Sequence, residues 1–181
     1  GPANKQGRIA ADNICGGNSR FTGSQGSSVL KLFSLTAAST GINEKTAQAA
    51  EIAYDKVVLF PASHAAYYPG ARSMVMKVLY EKESLRLLGA QIVGGDGVDK
   101  RIDVLATAVR TKMTALELTE LDLSYAPPYS SAKDPVNMAG FMIEDLESGK
   151  VRQFHWNDVE DLPCDGSATL LDVRTAWEYQ R

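Results

Sequence analysis

The spacing of apolar positions changes from segment to segment along the chain, and that spacing predicts the element each segment forms. Ile9, Ala10, Ile14 and Cys15 recur at helical intervals, and Gly16-Gly17 ends the run as C-cap glycines do, which predicts a short helix over 4–15. Residues 17–27 are rich in Gly and Ser, the composition of a loop or linker. The run Val29 to Leu35 is β-rich with partial alternation, and Asn43-Glu44 followed by an Ala-rich stretch to Ile52 predicts a capped helix. A second strand is expected at Lys56 to Phe60.

The clearest alternation lies in Met74–Tyr80 and Leu87–Val93. Met74, Met76 and Val78 fall on one face and Val75, Lys77 and Leu79 on the other, and the polar turn Glu81-Lys82-Glu83-Ser84 between the runs predicts an antiparallel hairpin. Gly94-Gly95-Asp96-Gly97 closes it. Ile102, Leu105, Val109 and Met113 then mark one face of a helix beginning near Val98. Thr114 and Glu117 have capping-box spacing, so a further helix is expected from Thr114. Asp134-Pro135 supplies an N-cap and a proline at the first helical position for a helix running to about Leu146. Beyond Gly149 the pattern shifts to a short strand over 151–156, a capped turn at Asn157 to Glu160, and a buried strand at Leu170 to Val173.

Strands in runs and helices in runs predict an α+β fold, an antiparallel sheet packed with helices, in preference to a parallel doubly wound sheet. Boundaries fall in the Gly/Ser stretch and near Lys150, dividing the chain into 1–16, a linker at 17–27, a principal domain at 28–149, and the start of another at 150–181. Both ends read as cut.

Composition narrows the function classes. Hydrophobic residues make up 44% and charged residues 23% of the 181 residues, which suits a soluble folded protein. The net charge of -3 and pI near 5.4 leave no basic field for nucleic acid. No apolar run approaches the ~18 residues of a membrane span. Cys15 and Cys164 lack partners at metal-ligand or CxxC spacing, so no metal site is expected and the thiols should be reduced.

Two segments carry more than a core pattern. One is Gly1-Pro2-Ala3-Asn4-Lys5-Gln6-Gly7-Arg8-Ile9-Ala10-Ala11-Asp12-Asn13-Ile14. The other is Tyr125-Ala126-Pro127-Pro128-Tyr129-Ser130-Ser131-Ala132-Lys133-Asp134-Pro135-Val136-Asn137-Met138-Ala139-Gly140. With His64 to Gly70 and Asp96 to Val104 between them in the same order, they resemble the branch of the pyridine nucleotide-disulfide reductases that holds the CoA-disulfide reductases and NADH oxidases. The resemblance implies that 1–16 is the tail of an FAD-binding domain and 28–149 the dimerisation domain. Leu171-Asp172-Val173-Arg174 and Glu178-Tyr179 are similar to the opening strand and turn of a rhodanese domain, which implies a partial α/β segment over 150–181.

The resemblance further implies a cytoplasmic homodimeric parent enzyme that passes a hydride from NAD(P)H to FAD and electrons onward to a cysteine and to CoA disulfide or CoA persulfide. An NADH oxidase is the alternative within the family, and a non-catalytic dimerisation module is the alternative for the chain in isolation. The G-x-G-x-x-G loops for FAD and nicotinamide do not occur in this sequence, so the chain alone is expected to bind neither.

Read alone, Tyr67 and Tyr125 are either aromatics anchored in loops or phenols able to hydrogen-bond a developing thiolate. The resemblance places both at the partner subunit's active site, Tyr125 against the flavin and Tyr67 near the disulfide, with Tyr68 and Tyr129 as possible substitutes. It also implies substrate contacts at Asn4 and Lys133, of which Lys133 offers a point charge for a CoA phosphate. Gly94–Gly97 reads as a tight turn in preference to an anion nest, since it lacks the P-loop lysine and hydroxyl. His64 and His155 suit structural roles. Asp172 and Arg174 are expected to pair.

Overall fold

A computed structural model describes residues 1–180, and Arg181, the end of the expected last segment, lies outside them. The predicted hairpin is the middle of a five-stranded sheet, formed by β4 (Met74–Glu81) and β5 (Leu87–Gly94). The outer strands are β1 (Ser28–Leu32), β2 (Leu35–Gly41) and β3 (Tyr54–Leu59), and the order β1-β2-β5-β4-β3 is antiparallel throughout. Side chains alternate across the pleat, so Val57, Leu59, Met74, Met76, Val78, Tyr80, Ala90 and Ile92 share one face and are buried. On that face lie α3 (Val98–Thr111), through Val98, Ile102, Leu105 and Ala108, and α4 (Pro135–Glu147), through Val136, Ala139 and Ile143. Fully burying each larger aliphatic side chain contributes about 1.5–3 kcal/mol, so this seam is what fixes the helices on the sheet. The α+β expectation therefore holds for 28–149.

Three local expectations are corrected. The run Val29 to Leu35 is not one strand, because the chain reverses at Phe33-Ser34, where Phe33 has a φ of 50°. Thr114 and Glu117 do exchange the reciprocal capping bonds, but only a 3-10 turn, Leu116–Leu118, follows. The buried Asn137 amide of α4 takes the Leu118 and Leu121 carbonyls, which a longer helix would have bonded internally. Residues 151–156 and 170–173 form no strands, and Leu170, Leu171 and Val173 are exposed. An apolar run is buried as a strand only when a neighbour pairs with it, and none does among the described residues. The expected Asp172–Arg174 pair is present as a fork, with Nη2 to Oδ2 at 2.6 Å and Nε to Oδ1 at 3.0 Å.

The ends of the principal domain are fastened. Gln25 donates to the Ala106 carbonyl of α3 at 2.8 Å and to Thr40 at 3.0 Å, and its carbonyl accepts from Gly41 N, so the Gly/Ser stretch joins the sheet before β1 begins. Gln153 donates to the Lys56 carbonyl in β3. The first helix, α1 (Pro2–Ile14), buries no residue.

The opposite sheet face is crossed by α2 (Glu44–Ala49), capped by Asn43, whose side chain accepts from Thr46 N at 2.9 Å. Glu44 is held between Lys56 and Lys77, with Lys77 at 2.8 Å. Burial alone would push the Glu44 carboxyl up, but the two lysines outweigh it and bring it from 4.5 to about 2. A carboxylate depressed on folding stabilises the fold fully above its unfolded value and loses that contribution as pH falls through the folded one. Urea midpoints of the wild type should therefore fall between pH 4.5 and about 2. Glu44→Gln should flatten that part of the profile, and an unchanged slope would show that α2 is not held by this ion pair.

Candidate functional site

Two loops meet at one end of the sheet. The loop between β3 and β4 carries Tyr67, and the Pro-rich loop before α4 carries Tyr125. Their hydroxyls are 3.1 Å apart, although Tyr67 is 77% exposed and Tyr125 48%. Aromatic side chains this exposed are not placed by core packing, so their meeting reflects where the backbone holds them. The hydrogen bond to Tyr67, then desolvation and the Tyr67 charge, raises the Tyr125 phenol above its ordinary range. Either hydroxyl can be the donor of that bond. The two tyrosines singled out in the sequence are thus brought together.

Behind them is a buried cation that sequence reasoning passed over. Arg101, 1% exposed, projects from the core face of α3, and its Nη2 donates to Asp134 Oδ2 at 3.0 Å, Ser130 Oγ at 3.2 Å and the Tyr129 carbonyl at 3.3 Å. Nη1 donates to the Gly97 carbonyl at 3.1 Å, and Nε reaches the same carboxylate. Burial would raise the Asp134 carboxyl. The Val136 amide, the Ser130 hydroxyl and the Arg101 guanidinium together outweigh burial and hold it below the usual aspartate range. The sequence did carry a signal, because position 101 falls on the stripe of Val98, Ile102 and Leu105, where a guanidinium is buried only with a partner.

The Gly94–Gly97 turn takes its meaning from this arrangement. A Cβ at Gly97, whose φ is 69°, would lie 2.1 Å from Arg101 Nη1, and one at Gly95 would lie 2.2 Å from Arg72 Cζ. Both glycines make room for arginines, which supports the tight-turn reading over an anion nest.

The expected substrate contacts are not brought together. Asn4 is exposed on α1, whose neighbour Lys5 borders a cleft of about 560 Å³ with Phe21, Gln25, Thr107 and Arg110. Lys133 is exposed and borders a separate cleft of about 410 Å³ with Phe141, Met142, Leu146 and Arg152. His64 is buried, its Nδ1 is 3.1 Å from the Ala65 carbonyl, and its ring meets Tyr68 edge-on, as a structural residue would. His155 starts the 3-10 turn Trp156–Asp161. Among the described residues no group of His, Cys, Asp or Glu has the arrangement of a metal site, and no helix is long and apolar enough to cross a membrane.

A family model described as the dimerisation domain of the pyridine nucleotide-disulphide oxidoreductases matches residues 27–135. The chain belongs to this family. The chain is similar to a coenzyme A disulfide reductase from Staphylococcus haemolyticus, with 41% identity over 145 residues, 80% of this chain and 32% of that protein. It also superposes on the structure of reduced CoADR-RHD from Bacillus anthracis, with a TM-score of 0.84 and 48% identity over 88% of this chain and 29% of that one. An NAD-dependent persulfide reductase from A. fulgidus gives a TM-score of 0.80 and 44% identity over 83% and 28%. The chain spans about a third of the length of the curated relatives it matches.

Proposed function

We propose that the chain is the dimerisation part of a flavin-dependent, NAD(P)H-driven reductase of CoA disulfide or CoA persulfide, and that it lends Tyr67 and Tyr125 to the active site of a partner subunit. The observation that carries this reading is the 3.1 Å contact between two exposed phenols on separate loops. Reduction of a disulfide releases a thiolate, which needs a hydrogen-bond donor while charge develops and then a proton. The two joined phenols can supply both, one hydroxyl donating to the thiolate while the other donates to it in turn. Lys133, exposed and next to the buried Asp134, offers a charge for a CoA phosphate, and Asn4 offers an amide.

When bound, FAD relays the two electrons of a nicotinamide hydride toward sulfur. The residues present fit the edge of such a site, through the exposed ring of Tyr125, and not its cradle, because the glycine-rich turn at 94–97 is filled by Arg72 and Arg101. The Asp172–Arg174 fork is compatible with a rhodanese start behind the domain, which would add sulfane-sulfur transfer.

The test uses the complete protein that carries this chain. NAD(P)H oxidation that depends on CoA disulfide and releases both thiols supports the reading. Oxygen consumption without thiol release would overturn it in favour of an NADH oxidase. A partner-subunit role further requires the 181-residue chain to sediment as a dimer.

A further inference from the structure

The two loops that carry Tyr67 and Tyr125 share one buried fastening. Tyr125 stands at the start of a turn in which the Ala126 carbonyl accepts from Tyr129 N at 2.9 Å and Ser130 N at 3.1 Å. Helix α3 grips that turn on both sides. Lys100 Nζ donates to the Ser124 carbonyl at 3.4 Å, just before Tyr125, and Arg101 Nη2 donates to the Tyr129 carbonyl and Ser130 Oγ. Ser130 Oγ in turn donates to Asp134 Oδ2 at 2.7 Å. The other loop hangs from the same residue, because Ala65 N donates to the Ser130 carbonyl at 3.0 Å, two positions before Tyr67.

We propose that Arg101, acting through Ser130 and Asp134, is the positioning residue that sets the Tyr67–Tyr125 contact. Its guanidinium touches neither phenol. It fixes the turn that aims one of them and anchors the strand of backbone that aims the other. An ordinary buried ion pair would need only the carboxylate, whereas this fork also spends donors on Gly97, Tyr129 and Ser130. A lysine at the same place keeps the charge that Asp134 requires but has no planar fork to span those acceptors.

This inference rests on the reading above for its catalytic meaning, and its test does not. In the 181-residue chain with ring-carbon-labelled tyrosine, the NMR titration of Tyr125 reports its hydrogen bond to Tyr67, and Tyr125→Phe assigns the signal. Arg101→Lys and Ser130→Ala, which both retain the local charges, are expected to lower the Tyr125 midpoint toward the ~10 of a free phenol. Val78→Ala, a core truncation in β4, is expected to lower stability and leave that midpoint in place. A midpoint unchanged in Ser130→Ala and in Arg101→Lys overturns the proposal, and so does an equal shift in Val78→Ala. Should Arg101→Lys fail to fold, Ser130→Ala decides alone. If the midpoint shifts as expected while phenol removal leaves thiol release intact in the complete protein, the catalytic reading falls and the positioning role stands.

Discussion

Gly89→Ala is expected to lower the stability of the chain by at least about 3 kcal/mol, the upper end of the usual cost of overpacking. Gly89 in β5 sits directly opposite Gly41 in β2, where the chain leaves the sheet and folds over it toward α2. A Cβ at Gly89 would lie 2.1 Å from the Ile42 carbonyl oxygen, 2.7 Å from Ile42 N and 2.8 Å from the Thr40 carbonyl oxygen. All three are backbone atoms, so no rotamer change can relieve the clash. Relief requires breaking the Ile42 N to Leu88 O bond or shifting the β2–β5 register, which would move every side chain of one strand to the wrong face. Urea unfolding read by circular dichroism measures the loss. Gly7→Ala is the contrast, since nothing lies within 4 Å of its added methyl on exposed α1, and it should be neutral or slightly stabilising. Equal midpoints for the two variants would show that the β2–β5 crossing is looser than its geometry implies.

The parts of the fold that were legible are those where local pattern and tertiary packing agree. The alternation of Met74, Met76 and Val78 and the spacing of Ile102 and Leu105 each describe a face that the core buries. The Asp134-Pro135 start was legible for a different reason, because the cap is satisfied within the next two residues, by Val136 N. The failures share a cause. Thr114-x-x-Glu117 makes its local bonds, yet how far the helix runs depends on Asn137, nineteen residues from Leu118 and invisible to any local window. Likewise the hydrophobicity of Leu170 to Val173 says that the run favours a strand, but a strand also needs a neighbour that local sequence does not supply.

The candidate site divides along the same line. Tyr67 and Tyr125 were reached through resemblance, since an exposed tyrosine in a loop has no periodicity to reveal it. Their contact spans 58 positions, and only the folded chain displays it. Arg101 had the better local signal, a guanidinium on an apolar stripe, but its meaning depended on Ser130 and Asp134 arriving from another loop. Of the glycines at 94–97, read from the sequence as a tight turn, Gly97 is the one that makes room for the Arg101 side chain of this network.

Under the proposed function, Tyr67→Phe and Tyr125→Phe in the complete protein are each expected to slow disulfide reduction by about 10²-fold, the lower range for loss of a general acid, with flavin absorbance retained. The ring of each residue survives the change, so packing is nearly conserved and the lost hydroxyl is what the rate reports. If the two hydroxyls act as one unit, the double variant should be little slower than either single one, because removing either already breaks the contact. The pH profile separates their roles further. The hydrogen bond to Tyr67 raises the Tyr125 phenol, so removing that bond in Tyr67→Phe should move the alkaline limb of kcat/KM to lower pH. Tyr125→Phe should abolish the limb, since the group that titrates there is gone. Rates within twofold of wild type in both single variants would remove the pair from the chemistry, and a limb that stays in place in Tyr67→Phe would show that Tyr125 is tuned by something other than its neighbour.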